Sequence, residues 1–166
     1  IIIRGCKMID GHGGVVMGSE ISAGVSDVYV EDCIMDSPNL DRAIRIKSNS
    51  KRGGVVENIY VRNIQVGKVK EAVLKINMFY ATYSEQQGKF LPVVRNITLE
   101  NITVQDGGYY GIMAKGYEEF PIENITFKNV KIEKVDEAFS IEHVKNLRLI
   151  DTYANGSLLQ SPASSK

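Results

Sequence analysis

Five segments of the chain repeat one alternation of apolar and polar positions: VSDVYVEDCIMD (25–36), VENIYVRNIQVG (56–67), VRNITLENITVQ (94–105), IENITFKNVKIE (122–133) and VKNLRLIDTYAN (144–155). Each carries Asn or Asp, a short alternating run, and a second Asn, Asp or substitute five residues on. The first polar column is Asp27, Asn58, Asn96, Asn124 and Asn146; the second is Asp32, Asn63, Asn101, Asn129 and Asp151. Successive units are offset by 31, 38, 28 and 22 residues, within the spacing of roughly 20 to 50 that marks stacked repeats. A second strand-like run accompanies each unit: GVVMGS, AIRIKS, AVLKINM, YGIMAKG and AFSIEHV. Short Val- and Ile-rich runs with a two-residue period, ending in Gly or Asn, predict strands, and no stretch has a useful helical period.

Strands in every unit with no tight hairpin between them predict an all-β chain wound as a right-handed parallel β-helix. A β-sandwich is the alternative, disfavoured by the missing hairpin signals. Stacking would set like residues about 4.8 Å apart on neighbouring coils, so the Asn/Asp columns are expected to form ladders at turns. The opening IIIRGCKM fits the same frame with Cys6 over Cys33, so the first coil is expected to be incomplete at its N-terminal end. The coils are assigned to residues 1–155 and a polar tail to 156–166.

Within this frame Arg45 and Lys47 lie two apart on one predicted strand, so both point to one face while Ile44 and Ile46 point to the other. Two unpaired cations cannot face a dry interior, and they are therefore placed outward. His12, between Gly11 and Gly13, falls one coil earlier, just ahead of the corresponding strand. Stacking is expected to bring His12, Arg45 and Lys47 to one side of the cylinder.

GHG at 11–13 followed by VVMGSE, and RIK at 45–47 followed by RGGVVENIYVRNI, resemble two motifs of glycoside hydrolase family 28, the polygalacturonases and their relatives. The resemblance covers nearly the whole chain and weakens after about residue 150. It implies inverting hydrolysis of the α-1,4 linkage in homogalacturonan, the acidic backbone of pectin, and a secreted or periplasmic parent. It also implies that Tyr80, in INMFY, sits near the reacting sugar. Catalysis in the family is carried by three aspartates, in NTD and DD motifs N-terminal to GHG. The sequence contains neither motif. The chain is accordingly expected to be the C-terminal part of such an enzyme, inactive alone and prone to self-association through its open N-terminal end. The alternatives are a non-catalytic carbohydrate-binding β-helix and a relative acting on rhamnogalacturonan.

The residues present suit the remaining tasks. Galacturonate carries a carboxylate on each ring, and a guanidinium fork beside an ammonium receives it well; Arg45 and Lys47 are assigned that role. His12 is assigned to catalysis, holding a neighbouring aspartate in its working protonation state. Tyr80 donates to a sugar hydroxyl or packs on the ring. Glu20, after a Gly-Ser turn, lines the groove or caps its turn. Tyr109 and Tyr110 extend the face or pack, and the loop ATYSEQQGKFLP (81–92) lies where substrate range is set. His143 is expected to be a satisfied histidine on a late strand.

Composition narrows the partners. Hydrophobic residues make up 43% of the chain and charged residues 24%, and twenty basic side chains cancel twenty acidic ones. No net field attracts nucleic acid or an anionic membrane, and no apolar stretch approaches the roughly 20 residues of a spanning helix. No cofactor is expected. No Cys, Asp or Glu cluster with ligand spacing surrounds either histidine, so no metal is expected. Cys6 and Cys33 lack metal or redox spacing and are expected to be buried thiols. Asn96, Asn101, Asn124 and Asn155 match the glycosylation acceptor pattern, although three are ladder positions that the repeat explains by itself.

Overall fold

The structure is a computed structural model that describes residues 1–80 and 88–162. Its strands are Ile2–Arg4 (β1), Lys7–Met8 (β2), Val15–Met17 (β3), Val25–Glu31 (β4), Ile34–Met35 (β5), Arg42–Lys47 (β6), Val55–Lys68 (β7), Ala72–Asn77 (β8), Val93–Asp106 (β9), Tyr110–Lys115 (β10), Ile122–Lys134 (β11), Glu137–Glu142 (β12), Val144–Ala154 (β13) and Ser157–Leu158 (β14). Short strands stack in the order β12-β10-β8-β6-β3, and the other sheet runs in the order β1-β4-β7-β9-β11-β13-β14, with β5 beside β7 and β2 beside β5. Every pairing is parallel except β13 with β14. One short and one long strand make each coil of a right-handed parallel β-helix, as the repeat predicts.

The long strands can turn without breaking their ladders because of the two polar columns. All ten column residues have left-handed backbone, with φ between 47° and 58°. Asn and Asp tolerate that region better than other residues with a Cβ. Their side chains then meet in register. Asn58 Nδ2 donates to Asp27 Oδ1 at 3.2 Å, Asn96 to Asn58 at 3.1 Å, Asn124 to Asn96 at 3.0 Å and Asn146 to Asn124 at 3.0 Å. In the second column Asn63 donates to Asp32 at 2.9 Å, Asn101 to Asn63 at 3.1 Å and Asn129 to Asn101 at 2.8 Å. Donation always runs toward the preceding coil, so an aspartate, which only accepts, fits at the first rung. The Asp151 side chain has no N–H to donate, and among the described residues the second ladder ends at Asn129.

Between the sheets, in-register apolar residues fill the interior. Val28, Ile59, Ile97, Ile125 and Leu147 form one buried column, and Val30, Val61, Leu99 and Phe127 another. On the outward face of the long strands charges alternate instead. Arg4, Glu31, Arg62, Glu100 and Lys128 succeed one another coil by coil, with Glu31 bridging Arg4 and Arg62, and Lys128 bonded to Glu100 at 2.7 Å. Opposite charges in directly paired positions favour this register, and like charges would oppose it.

Three local expectations change. Cys33 is buried but Cys6 is exposed, because its position lies on the first coil while Cys33 is covered by coils on both sides. His143 is not within a strand: at φ 54° it is the single left-handed residue between β12 and β13, and its carbonyl accepts the Ile122 N–H at 3.0 Å. The segment 156–166 begins as structure. Asn155 and Gly156, at φ 51° and 78°, form the kind of Asn-Gly turn that closes a hairpin, and β14 runs back antiparallel along β13. Leu159 N donates to Thr152 O at 2.8 Å and Leu149 N to Ser161 Oγ at 3.1 Å, which covers an edge strand that would otherwise be open. Residues 163–166, and residues 81–87 of the loop 81–92, lie outside the described residues.

Candidate functional site

The short-strand sheet faces outward with Arg45 and Lys47 on β6, while Ile44 and Ile46, which alternate with them, are buried. The pairing of β6 with β8 sets Arg45 beside Lys75 and Lys47 beside Asn77. Two cations directly opposite each other depart from the alternation on the other sheet and are unfavourable in isolation. Lys75 is relieved by Glu71 at 2.8 Å. Arg45 and Lys47 have no carboxylate within ion-pair distance among the described residues. They share the ring of Tyr80 instead: the Lys47 ammonium lies 4.4 Å from its centroid and the Arg45 guanidinium carbon 5.4 Å. Burial, and then the charge of Arg42, push the Arg45 pKa down from its ordinary value. Both effects signal a cation that an anion would stabilise.

Tyr80 is positioned by the backbone. Its N–H donates to Ser48 O at 3.0 Å, and its carbonyl accepts from Asn49 Nδ2 at 3.2 Å, so the end of β8 is tied to the end of β6. Glu20 pairs with Arg52 at 2.6 Å, which links two coils at a turn.

His12 enters from the coil before. Gly11 bridges Leu40, and its φ of 124° suits glycine. At Gly13 a Cβ would stand 2.5 Å from Val16 Cγ2 and 3.5 Å from Arg45 Cβ, so a glycine there lets the coil close onto the Arg45 strand. The imidazole itself, 86% exposed, bonds through Nδ1 to Asp41 Oδ2 at 2.8 Å. Since a carboxylate only accepts, Nδ1 carries the proton and Nε2 faces outward. Among the described residues the His12 ring makes no hydrogen bond or ring contact with Arg45, Lys47 or Tyr80. The structure brings those three together and sets His12 beside them in a network of its own.

That network contains residues the sequence reading missed. Arg42, nearly buried, bonds Asp41 at 3.2 Å, Glu71, and the His12 carbonyl at 3.3 Å. Its Nε is a buried donor with no hydrogen-bond partner among the described residues. Asp41 and Glu71 also border a cavity of about 430 Å³ shared with Lys70, Asp106, Tyr109 and Lys134. Tyr109 is exposed there and Tyr110 half-buried at the start of β10. The signal for Asp41 was available only in retrospect, as an acid four residues before Arg45.

The hydrogen bond from His12, aided by the Arg42 charge, holds the Asp41 pKa below its ordinary value despite partial burial. At Glu71, burial pushes upward, but the hydrogen bonds from Lys75 and Arg42 outweigh it and the net shift is downward. At Asp106 the Gly108 N–H is the chief cause of a downward shift. Carboxyls with lowered folded pKa bind fewer protons folded than unfolded, so their stabilisation is complete above the ordinary carboxylate range and is lost as pH falls through the lowered values. The urea midpoint is therefore expected to stay flat from neutrality to about pH 5 and then to fall. Asp41→Asn with Glu71→Gln should flatten that acid limb, and an unaltered limb would remove these two groups as its source.

No helix of the described residues is long and apolar enough to cross a membrane. Among the described residues no group of three or more His, Cys, Asp or Glu is placed to hold a metal ion.

Comparison with known proteins agrees with the geometry. A polygalacturonase of Ralstonia nicotianae is 34% identical over 142 residues, which cover 80% of this chain and 26% of that protein. A probable polygalacturonase of Vitis vinifera is 28% identical over 141 residues, covering 83% and 28%. Among solved structures, a hyperthermoactive exopolygalacturonase from Thermotoga maritima superposes with a TM-score of 0.79 at 32% identity, covering 90% of this chain and 34% of that one. The chain thus spans about a quarter to a third of the length of these relatives. The family model for glycosyl hydrolases family 28 matches residues 1–153, nearly the whole length over which the coils run, and the chain belongs to that family.

Proposed function

We propose that this chain forms the part of a pectin-degrading glycosidase that receives the acidic sugar, and that the whole enzyme hydrolyses α-1,4-linked galacturonate with inversion. The observation that carries this is the half-buried pair Arg45 and Lys47, held on Tyr80 with no carboxylate at ion-pair distance among the described residues. A galacturonate carboxylate would supply the missing charge, the guanidinium binding it in two-pronged fashion and the ammonium as a point charge. Family membership and the activities in the names of the relatives support the choice of sugar.

Inversion needs one carboxylic acid to protonate the leaving oxygen and one carboxylate to activate water. Neither NTD nor DD occurs in the sequence, so we assign both acids to a part of the enzyme outside these residues. His12, fixed by Asp41, offers Nε2 to one of them and biases its protonation. Glu20 shapes the rim through Arg52. A secreted or periplasmic location follows from the nature of the substrate. Self-association through the first coil belongs to the same reading: among the described residues β1 pairs with β4 alone, and Ile1 and Ile2 are exposed, leaving strand edge and apolar surface to meet a second copy.

Titration of the chain with oligogalacturonate and with a neutral oligosaccharide of equal length tests the proposal. Binding of the acidic oligomer alone, weakening as salt rises, is expected, with no release of reducing ends. Equal binding of both sugars, or of neither, would overturn the receptor role, and hydrolysis by the chain itself would overturn the assignment of the acids.

A further inference from the structure

The short-strand sheet carries a second cation on an aromatic support. Lys47 pairs with Asn77, and Asn77 with Lys115, so Lys115 stands two coils from Lys47 in one outward column, roughly 10 Å away at the usual strand spacing. Its ammonium lies 5.1 Å from the centroid of Phe79, the residue before Tyr80. The Phe79 ring in turn packs on Tyr117, with centroids 4.2 Å apart. Tyr117 is pinned by its hydroxyl, which donates to Met78 O at 2.9 Å. Phe79 remains 39% exposed. Lys115 gives one bond to Glu142 at 2.9 Å, and an ammonium has three donors.

We infer that Lys115, supported by Phe79 and Tyr117, is a second carboxylate subsite, taking a uronate further along the same acidic chain that Arg45 and Lys47 hold. This rests on the proposed function. A polymer lying along the coil axis crosses one coil after another, and this column repeats a cation at every second coil with neutral Asn77 between. Two receptors engaging one ligand raise its affinity without any new kind of contact, provided that the ligand spans both. Glu142 competes with the substrate for the ammonium, so it restrains the subsite. A purely structural Lys115–Glu142 pair would make no such distinction between long and short ligands.

The test is calorimetric titration of the whole chain with mono-, di-, tri- and tetragalacturonate, comparing the parent with Lys115→Met, Glu142→Gln and Arg45→Ala. Methionine keeps an apolar stem over Phe79 and removes the charge. For the parent, affinity should rise with length until the oligomer spans both cations. Lys115→Met should cancel that rise, a loss on the order of fivefold for the longest oligomer; Glu142→Gln should enlarge it. A full length-dependent rise in a folded Lys115→Met variant, its thermal midpoint matching the parent, would overturn the subsite. Failure of the underlying reading has a different signature: no oligomer of any length binds the parent, or Arg45→Ala alters none of the titrations.

Discussion

Replacing Arg45 or Lys47 with alanine is expected to weaken oligogalacturonate binding by about 10- to 150-fold each, the range for a lost hydrogen bond to a charged group. The same loss should appear in kcat/KM when the substitutions are made in the full-length enzyme. Stability should move little, or in the opposite direction. In the free chain Arg45 faces Lys75, lies close to Arg42, and is half-buried with no carboxylate at ion-pair distance among the described residues. Removing it relieves repulsion and desolvation in the folded state. Arg45→Lys should restore charge without the fork and recover only part of the affinity. Tyr80→Ala should cost affinity as well, through loss of the ring that holds both cations in place. Unchanged affinity for polygalacturonate in Arg45→Ala and Lys47→Ala would end the carboxylate assignment, whatever happens to stability.

Asn96→Ala is expected to lower stability by about 3 to 4 kcal/mol. Alanine at φ 58° costs about 1–2 kcal/mol more than it would in right-handed backbone. The substitution also removes two ladder bonds, to Asn58 and from Asn124, each contributing about 1 kcal/mol. For a chain of this length the thermal midpoint should fall by roughly 10 °C. Asn96→Gly separates the two causes, because glycine accepts left-handed backbone freely while still deleting both bonds; it should lose about half as much. Equal midpoints for the alanine and glycine variants would show that backbone conformation contributes nothing at this position.

The sequence by itself determined the architecture and the orientation of Arg45 and Lys47. Five copies of the Asn/Asp spacing fixed where each coil turns, because only a few residue types accept left-handed backbone and only side-chain amides can both donate and accept between coils. Alternation along β6 determined that Arg45 and Lys47 point outward and Ile44 and Ile46 inward, since consecutive residues of a strand face opposite ways. Both are local properties, carried by a dozen residues at a time.

Coil stacking decided the rest. His12 and Asp41 are 29 residues apart in the chain and meet because one coil settles on another in a register that variable loops conceal from a linear reading. The chain from Asp41 through Arg42 and Glu71 to Lys75 has the same origin, as does the contrast between alternating charges on one sheet and adjacent cations on the other. His143 replaced a strand position with a turn, and Asn155-Gly156 folded the expected tail back onto β13. Periodicity says which face a residue occupies; register between coils says which residue it meets, and the chemistry of this site depends on the second.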